Sequence, residues 1–400
     1  MLGFGVMIPV VRDLTQVLVK NSGLSLFRPE IYMGILMAAY SGAQMLSAPI
    51  LGRLSDIYGR KPIFLISTTG NVISYVIWIL ANNYGLFLAG RILSGVTGGS
   101  IAVAQSILAD HTSPAERPRA MGLLGACIGM GFVLGPFLGG VLINLNQYKP
   151  FNLIEINQFW PIGVACLGLS LISALMIVFN RIPSVDAHGP GVHREGFAVL
   201  ANAFRGGVNQ PVYATQLLSQ FSFVIFEVLF AWILQKQYHF DLKETFYFFG
   251  AQGVLLALIQ GGLYRRLEKR RPPEHWVKVG LIGSFIGMAL LPWAGYVDGM
   301  LTAGISVRIC LLSLVLFLMA LASGFGGPSL NAFASIHAPK NEQGQTMGYM
   351  QSLAALARFS APVAATGLYA FWLPLPFLLG AVLCLIAWGV FSRQKQEQRF

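Results

Sequence analysis

Apolar blocks of helix-spanning length recur along this chain, separated by short stretches that carry most of its charge. A hydrocarbon core roughly 30 Å thick is crossed by about 20 apolar residues in a helix. In lipid every backbone N–H and C=O must find a partner inside the protein. The blocks are too long and continuous for the alternating strands of a membrane barrel, so they predict membrane-spanning helices. Of the 400 residues 55% are apolar and 11% charged, with a mean hydropathy of +0.64, whereas soluble proteins carry about 25% charged residues. A soluble enzyme is thereby excluded. So is a membrane enzyme, since no Ser/His/Asp set, paired carboxylates or metal-ligand cluster falls within the blocks.

The blocks lie at 1–11, 31–51, 63–81, 85–108, 121–145, 159–179, 212–234, 245–264, 277–295, 307–327, 346–369 and 373–391, giving twelve expected spans. The first is short. It meets Pro9 and Arg12-Asp13 almost at once, so half of that helix is expected to be missing upstream, and no signal-peptide cleavage site is visible. The stretch 180–211 contains Pro183, Gly189-Pro190-Gly191 and Gly206-Gly207 and reads as a cytoplasmic linker. It divides an N-terminal six-helix bundle, 1–179, from a C-terminal one, 212–391, with a cytoplasmic tail at 392–400.

With both termini in the cytoplasm, 18 of the 27 Lys and Arg residues fall on inner loops and tail and 7 on outer loops, while Arg91 and Arg358 lie inside spans. This is the positive-inside bias that orients membrane proteins. The basic residues are scattered and form no stripe for a nucleic acid. Cys127, Cys166, Cys310 and Cys384 sit in apolar blocks without CxxC spacing, so neither a disulfide framework nor a metal site is expected.

The two halves echo each other. Gly52–Lys61 after span 2 resembles Gly261–Arg270 after span 8, and Met121-Gly122 with Gly135-Pro136 matches Met347-Gly348 with Ala361-Pro362 at a constant offset of 226. Such repeats are the mark of transporters built from two related lobes.

Several motifs carry chemistry. The segment Gly52-Arg53-Leu54-Ser55-Asp56-Ile57-Tyr58-Gly59-Arg60-Lys61 reads as a short loop whose glycines allow close approach or positive φ. Its Asp56 can accept charge-assisted hydrogen bonds, so Gly52, Asp56, Gly59, Arg60 and Lys61 form a candidate gating latch, with Asp110 at the inner end of span 4 as a second gate residue. Arg91 in span 4 is a cation at membrane depth, kept there for a partner or a pathway or else snorkelling to the interface. Glu227 is the acid deepest within an apolar span, either a group that exchanges its proton as water or a cation approaches or a neutral structural acid hydrogen-bonded to another helix. Gln216, Gln220 and Glu227, spaced at four and seven, give span 7 one polar face. Gln44, Asn71, Gln105, Gln252, Asn331 and Gln351 are further candidates to line a central cavity, the alternative being an interhelical hydrogen bond worth about 0.6 kcal/mol. Phe221, Phe223, Phe226, Phe230, Trp232 and Phe246–Phe249 would suit a planar amphipathic ligand or face lipid. Span 5 carries Gly131, Gly135, Pro136, Gly139 and Gly140, a density suited to close helix packing.

The run G-R-L-S-D-x-x-G-R-K between spans 2 and 3 of such a chain resembles the signature loop of the major facilitator superfamily. The resemblance extends over nearly the whole chain: G-x-x-x-G-P-x-x-G-G at Gly131–Gly140 is similar to the motif of its drug:proton antiporters, and the run from Arg91 to Gly140 with Gln351–Arg358, Ala361-Pro362 and Tyr369 looks like its tetracycline-transporter subgroup. The resemblance implies an all-α membrane protein of twelve helices in two pseudo-symmetric six-helix bundles around a site that opens alternately to each side. It also implies export of an amphipathic small molecule in exchange for protons. Glu227, Arg91 and Arg358 are then the groups expected to couple protons or hold substrate charge. The family's usual acid just before Leu2-Gly3-Phe4-Gly5 is absent, and its Gly-Pro in span 11 is Ala361-Pro362. Alternatives are a transporter of a metabolite, siderophore or organic anion, or a transport-dead membrane sensor. The expected partners are a small molecule, protons and lipid, with no cofactor and no metal, in a monomer of the inner membrane.

Overall fold

The computed structural model describes residues 2–112, 131, 134–135, 138–142, 159–179, 210–267, 270–296, 307–337 and 343–397. Among these the regular structure is helical, without strands. In chain order the helices are α1 (Leu2–Asn21), α2 (Pro29–Tyr58), α3 (Arg60–Leu80), α4 (Tyr84–Gly98), α5 (Ser100–Asp110), α6 (Trp160–Phe179), α7 (Gln210–Gln237), α8 (Leu242–Leu258), α9 (Pro273–Leu290), α10 (Val307–His337), α11 (Gln343–Phe371) and α12 (Leu375–Glu397). Among the described residues, eight helices are long and apolar enough to cross a membrane: α2, α3, α6, α7, α8, α10, α11 and α12. The labels α4 and α5 share the expected span 4. The expected span 5 lies outside the described residues except at 131, 134–135 and 138–142, which are helical.

Several expected boundaries are corrected, and in each case the backbone continues where side-chain polarity suggested a stop. The first helix does not end at Val11; α1 runs 20 residues to Asn21. Arg12 and Asp13 meet at 3.7 Å and moderate each other's charge, Thr15 Oγ1 donates to the Val11 carbonyl at 2.5 Å, and Asn21 Nδ2 reaches the Asn82 carbonyl at 3.2 Å. The segment 52–58 is not a loop either. It forms the last two turns of α2, and the single non-helical residue before α3 is Gly59, at φ 94°, ψ 152°. That region of backbone space is open essentially to glycine alone.

Span 4 is broken at Gly99, which separates α4 from α5; the Gly99 N–H reaches the Val96 carbonyl at 3.4 Å, a tighter turn than the helix proper. The described part of the echo after span 8, as far as Leu267, is also helical: α8 passes into a π-helical stretch, Ile259–Tyr264, and a final turn, Arg265–Leu267. Helix α12 continues to Glu397, into the stretch expected as a tail.

The chain divides into two compact units, Met1–Gly196 and Phe197–Phe400. In the first, α2 packs along α4, and α3 packs against both α4 and α6. A Cβ at Gly95 would collide with the Tyr40 carbonyl and one at Gly99 would meet the Ala48 N–H at 2.9 Å, so α2 and α4 touch backbone to backbone. Ser47 Oγ donates to the Gly95 carbonyl at 3.4 Å across the same seam. In the second unit α7 is flanked by α11 and α12, and α9 by α10 and α12. A buried cluster including Val212, Tyr213, Val277, Leu281, Phe333, Met350 and Phe391 ties these helices together. Lipid supplies no hydrophobic drive between helices, so this close fit and its hydrogen bonds hold each bundle. Apolar side chains such as Leu171, Ile172, Leu175, Met176 and Phe179 on α6 are exposed, as a lipid-facing surface requires.

Candidate functional site

Each unit carries ionisable groups at the depth of its membrane helices. In the first unit the centre is Arg91, 5% exposed on α4. Its guanidinium carbon lies 4.5 Å from the centre of the Tyr40 ring on α2, a cation–π contact. Helical spacing places Arg91, Ser94 and Gly98 along one side of α4, and Asn71 and Tyr75 along one side of α3. Between these helices is a polar cavity of about 80 Å³ whose lining includes Tyr40, Asn71, Tyr75, Arg91, Ser94 and Ser100. The surrounding hydroxyls tie α3 to α4: Thr97 Oγ1 donates to Asn71 Oδ1 at 2.8 Å and the Ser74 and Ser94 hydroxyls meet at 3.0 Å.

Tyr75, Ser94 and Ser100 were not singled out in the sequence. The signal that could have found them is the four-residue spacing of Asn71 and Tyr75, facing Arg91 across a hairpin of two spans. Gln44 is buried and donates its Nε2 to the Gly98 carbonyl at 3.0 Å, so this amide fastens α2 to α4. The side chain of Gln105 lies outside the described residues.

In the second unit Gln216, Gln220, Phe223 and Glu227 share one face of α7 and are all partly exposed, whereas Val224–Phe226 and Val228–Leu234 are buried. Arg358 on α11 is partly buried, and its charge acts on the Glu227 carboxyl. An acid and a cation are thus brought within electrostatic reach of each other on two helices packed side by side. Behind that face buried aromatic rings join α7 to α8: Phe226 stacks on Phe230 at 5.0 Å and Phe230 meets Phe249 edge-on at 4.9 Å. Nearer the end of α7, Trp232 contacts Tyr369 at 5.3 Å and Lys236 Nζ lies 5.5 Å from the same Tyr369 ring. Gln351 on α11 and Asn331 on α10 are exposed, and Gln252 on α8 is partly exposed.

The Gly52 motif is built into helix ends. Arg60 Nη1 donates to Ser55 Oγ at 2.8 Å, and Ser55 Oγ donates to the Gly52 carbonyl at 2.6 Å. Lys61 Nζ donates to the Val178 carbonyl at 2.9 Å, one of the terminal carbonyls of α6, where a cation also complements the helix dipole. The side chains of Asp56 and Asp110 lie outside the described residues, as does Pro136. Gly131, Gly135, Gly139 and Gly140 are buried. A Cβ at Gly135 would come within 2.6 Å of the Val6 N–H and 2.7 Å of the Gly5 carbonyl carbon, so this stretch lies directly on the backbone of α1.

A family model described as Major Facilitator Superfamily matches residues 3–362. The chain is 30% identical to the class G tetracycline resistance protein of Vibrio anguillarum, over 98% of this chain and 94% of that protein. It is 29% identical to the class H tetracycline resistance protein of Pasteurella multocida, over 96% and 90%. Among solved structures, the human organic anion transporter MFSD10 (TETRAN) superposes with a TM-score of 0.71 at 22% identity, covering 98% of this chain and 95% of that one.

Proposed function

The chain belongs to the Major Facilitator Superfamily, and on that premise we propose that it exports an amphipathic, drug-like or tetracycline-like small molecule in exchange for protons, by alternating access. It acts as a monomer in an inner membrane, with both termini in the cytoplasm. The observation that carries the reading is the polar face of α7, where Glu227 sits in line with Gln216 and Gln220 and under the influence of Arg358. An acid in that position can hold a proton as a neutral group or release it beside a cation. Substrate or water arriving on the glutamine face tips the balance, and the released proton is exchanged for cargo. On the same face the partly exposed ring of Phe223 supplies apolar surface for an amphipathic ligand, with the buried rings of Phe226 and Phe230 packed behind it. In this scheme Arg91 holds negative charge in the first unit. Arg60 and Lys61 brace the inner ends of α2, α3 and α6, with Asp56 and Asp110 gating the cytoplasmic side. Asn71 and Gln105 in the first unit and Gln252, Asn331 and Gln351 in the second add polar groups, whereas Gln44 is spent on the Gly98 carbonyl, and the glycines of the Gly131–Gly140 motif let their helix glide on α1.

The test is proton-driven uptake into inverted membrane vesicles, screened with dyes, tetracyclines and organic anions. Glu227→Gln is expected to abolish uptake driven by the proton gradient while substrate counterflow at equal pH persists. Gradient-driven uptake by Glu227→Gln at the native rate overturns the assignment.

A second reading, transport of an organic anion, is favoured by the membrane-depth cations Arg91 and Arg358. Counterflow with candidate anions separates it from the first: stimulation by anions and none by neutral or cationic dyes supports the second reading.

A further inference from the structure

We infer that a basic notch at the start of α9 holds the headgroup phosphate of an anionic phospholipid whose acyl chains lie along the same helix. The notch, about 250 Å³, is lined by Arg271, Pro272, Glu274, His275 and Lys278. Arg266, Arg270 and Arg271 are exposed and Lys278 is partly so. From Arg265 to Lys278 the chain carries six Lys and Arg against two Glu, so Glu274 in the lining offsets one charge and leaves a positive excess.

Apolar surface leads into this notch. Helix α9 packs along α10 and α12, and Val277, Gly280, Leu281, Gly287 and Met288 form its buried side. The exposed residues His275, Val279, Ile282, Ile286 and Leu290 recur at helical spacing on another face, and Lys278, three residues after His275, borders it. Because α10 and α12 are both long and apolar enough to cross a membrane, this stripe faces acyl chains. From Val279 to Leu290 it runs about 16 Å at a rise of 1.5 Å per residue, close to one leaflet of a hydrocarbon core roughly 30 Å thick. The basic side chains at its end therefore stand at headgroup depth, where Lys and Arg attract anionic lipid. The positive-inside bias explains basic residues anywhere on an inner loop. It does not explain a notch whose cations border a leaflet's depth of exposed apolar side chains, and an occupant that complements both has negative charge at one end and acyl chains at the other. This inference is independent of what the chain transports and in which direction.

The test is native mass spectrometry of the purified, delipidated full chain, titrated with dioleoyl phosphatidylglycerol, with dioleoyl phosphatidylcholine, and with glycerol phosphate as a headgroup without chains. Phosphatidylglycerol is expected to be retained at about tenfold lower concentration than phosphatidylcholine, and glycerol phosphate is expected not to displace it. The double variant Arg271→Gln/Lys278→Gln is expected to lose the preference, while Lys20→Gln/Lys243→Gln, which removes the same charge at exposed positions elsewhere, keeps it. Should the first double variant fail to fold, Arg271→Gln alone, outside the helix, decides. Equal retention of the two lipids by the native chain, a preference that survives the loss of Arg271 and Lys278, or an equal loss in the Lys20/Lys243 control overturns the proposal. Displacement by glycerol phosphate overturns it in favour of a free phosphate ester, and a dimer that takes up no phosphatidylglycerol overturns it in favour of a second copy of the chain on the stripe.

Discussion

At the scale of single residues, Gly59 has the least freedom to change. Two membrane helices meet on it, and its φ of 94° with ψ of 152° is closed to side chains. Replacement by alanine is expected to cost about 1–3 kcal/mol of stability, read as a lower unfolding temperature of the purified protein; an unchanged temperature would show that the backbone relaxes there. Steric room does not rescue the substitution, because the nearest atom to an added Cβ is Pro62 Cδ at a comfortable 3.6 Å. The sequence made Gly59 legible as a special glycine because it stands in a recognisable motif. Arg91 and Glu227 stand out in the sequence for a simpler reason: an ionisable residue in an apolar block is rare and costly. Two of the side chains beside Arg91 do not: Tyr75 and Ser94 are unremarkable in a membrane helix, and only the fold brings them round Arg91. Gln44 shows the opposite failure, since a polar side chain in a span looks the same in sequence whether it awaits a ligand or holds another helix's carbonyl.

At the scale of helices, hydropathy located most spans and misjudged their ends. It counts side chains, while the length of a membrane helix is decided by backbone amides that keep hydrogen-bonding past the last apolar residue. Hence α2 runs through Arg53 to Tyr58 and α1 through Arg12-Asp13 to Asn21. The π-helical stretch in α8 and the break at Gly99 leave no mark in hydropathy at all. Contacts between helices predict which glycines matter. A side chain at Gly280 on α9 would meet Gly326 Cα at 2.6 Å and the Ala322 carbonyl at 2.8 Å on α10, backbone atoms that cannot step aside. Gly280→Val is therefore expected to cost about 1–3 kcal/mol through overpacking. Nothing lies within 4 Å of an added Cβ at Gly261, so Gly261→Ala is expected to be neutral or to stabilise by about 0.4–1 kcal/mol. Parallel unfolding measurements on the two variants check the contrast, and similar losses in both would contradict it.

At the scale of the whole molecule, the placement of basic residues carries the orientation. Arg265, Arg266, Arg270, Arg271 and Lys278 cluster around the junction of α8 and α9, and Arg393 near the end of α12 lies on the same expected side. A green fluorescent protein fused after Phe400 is expected to fluoresce and an alkaline phosphatase fused there to be inactive; the reverse pattern would invert the topology. Within the first unit, the bond from Lys61 Nζ to the Val178 carbonyl joins the opening turn of α3 to the closing turn of α6. Since those two helices also lie against each other, the pin at their shared end makes them one beam.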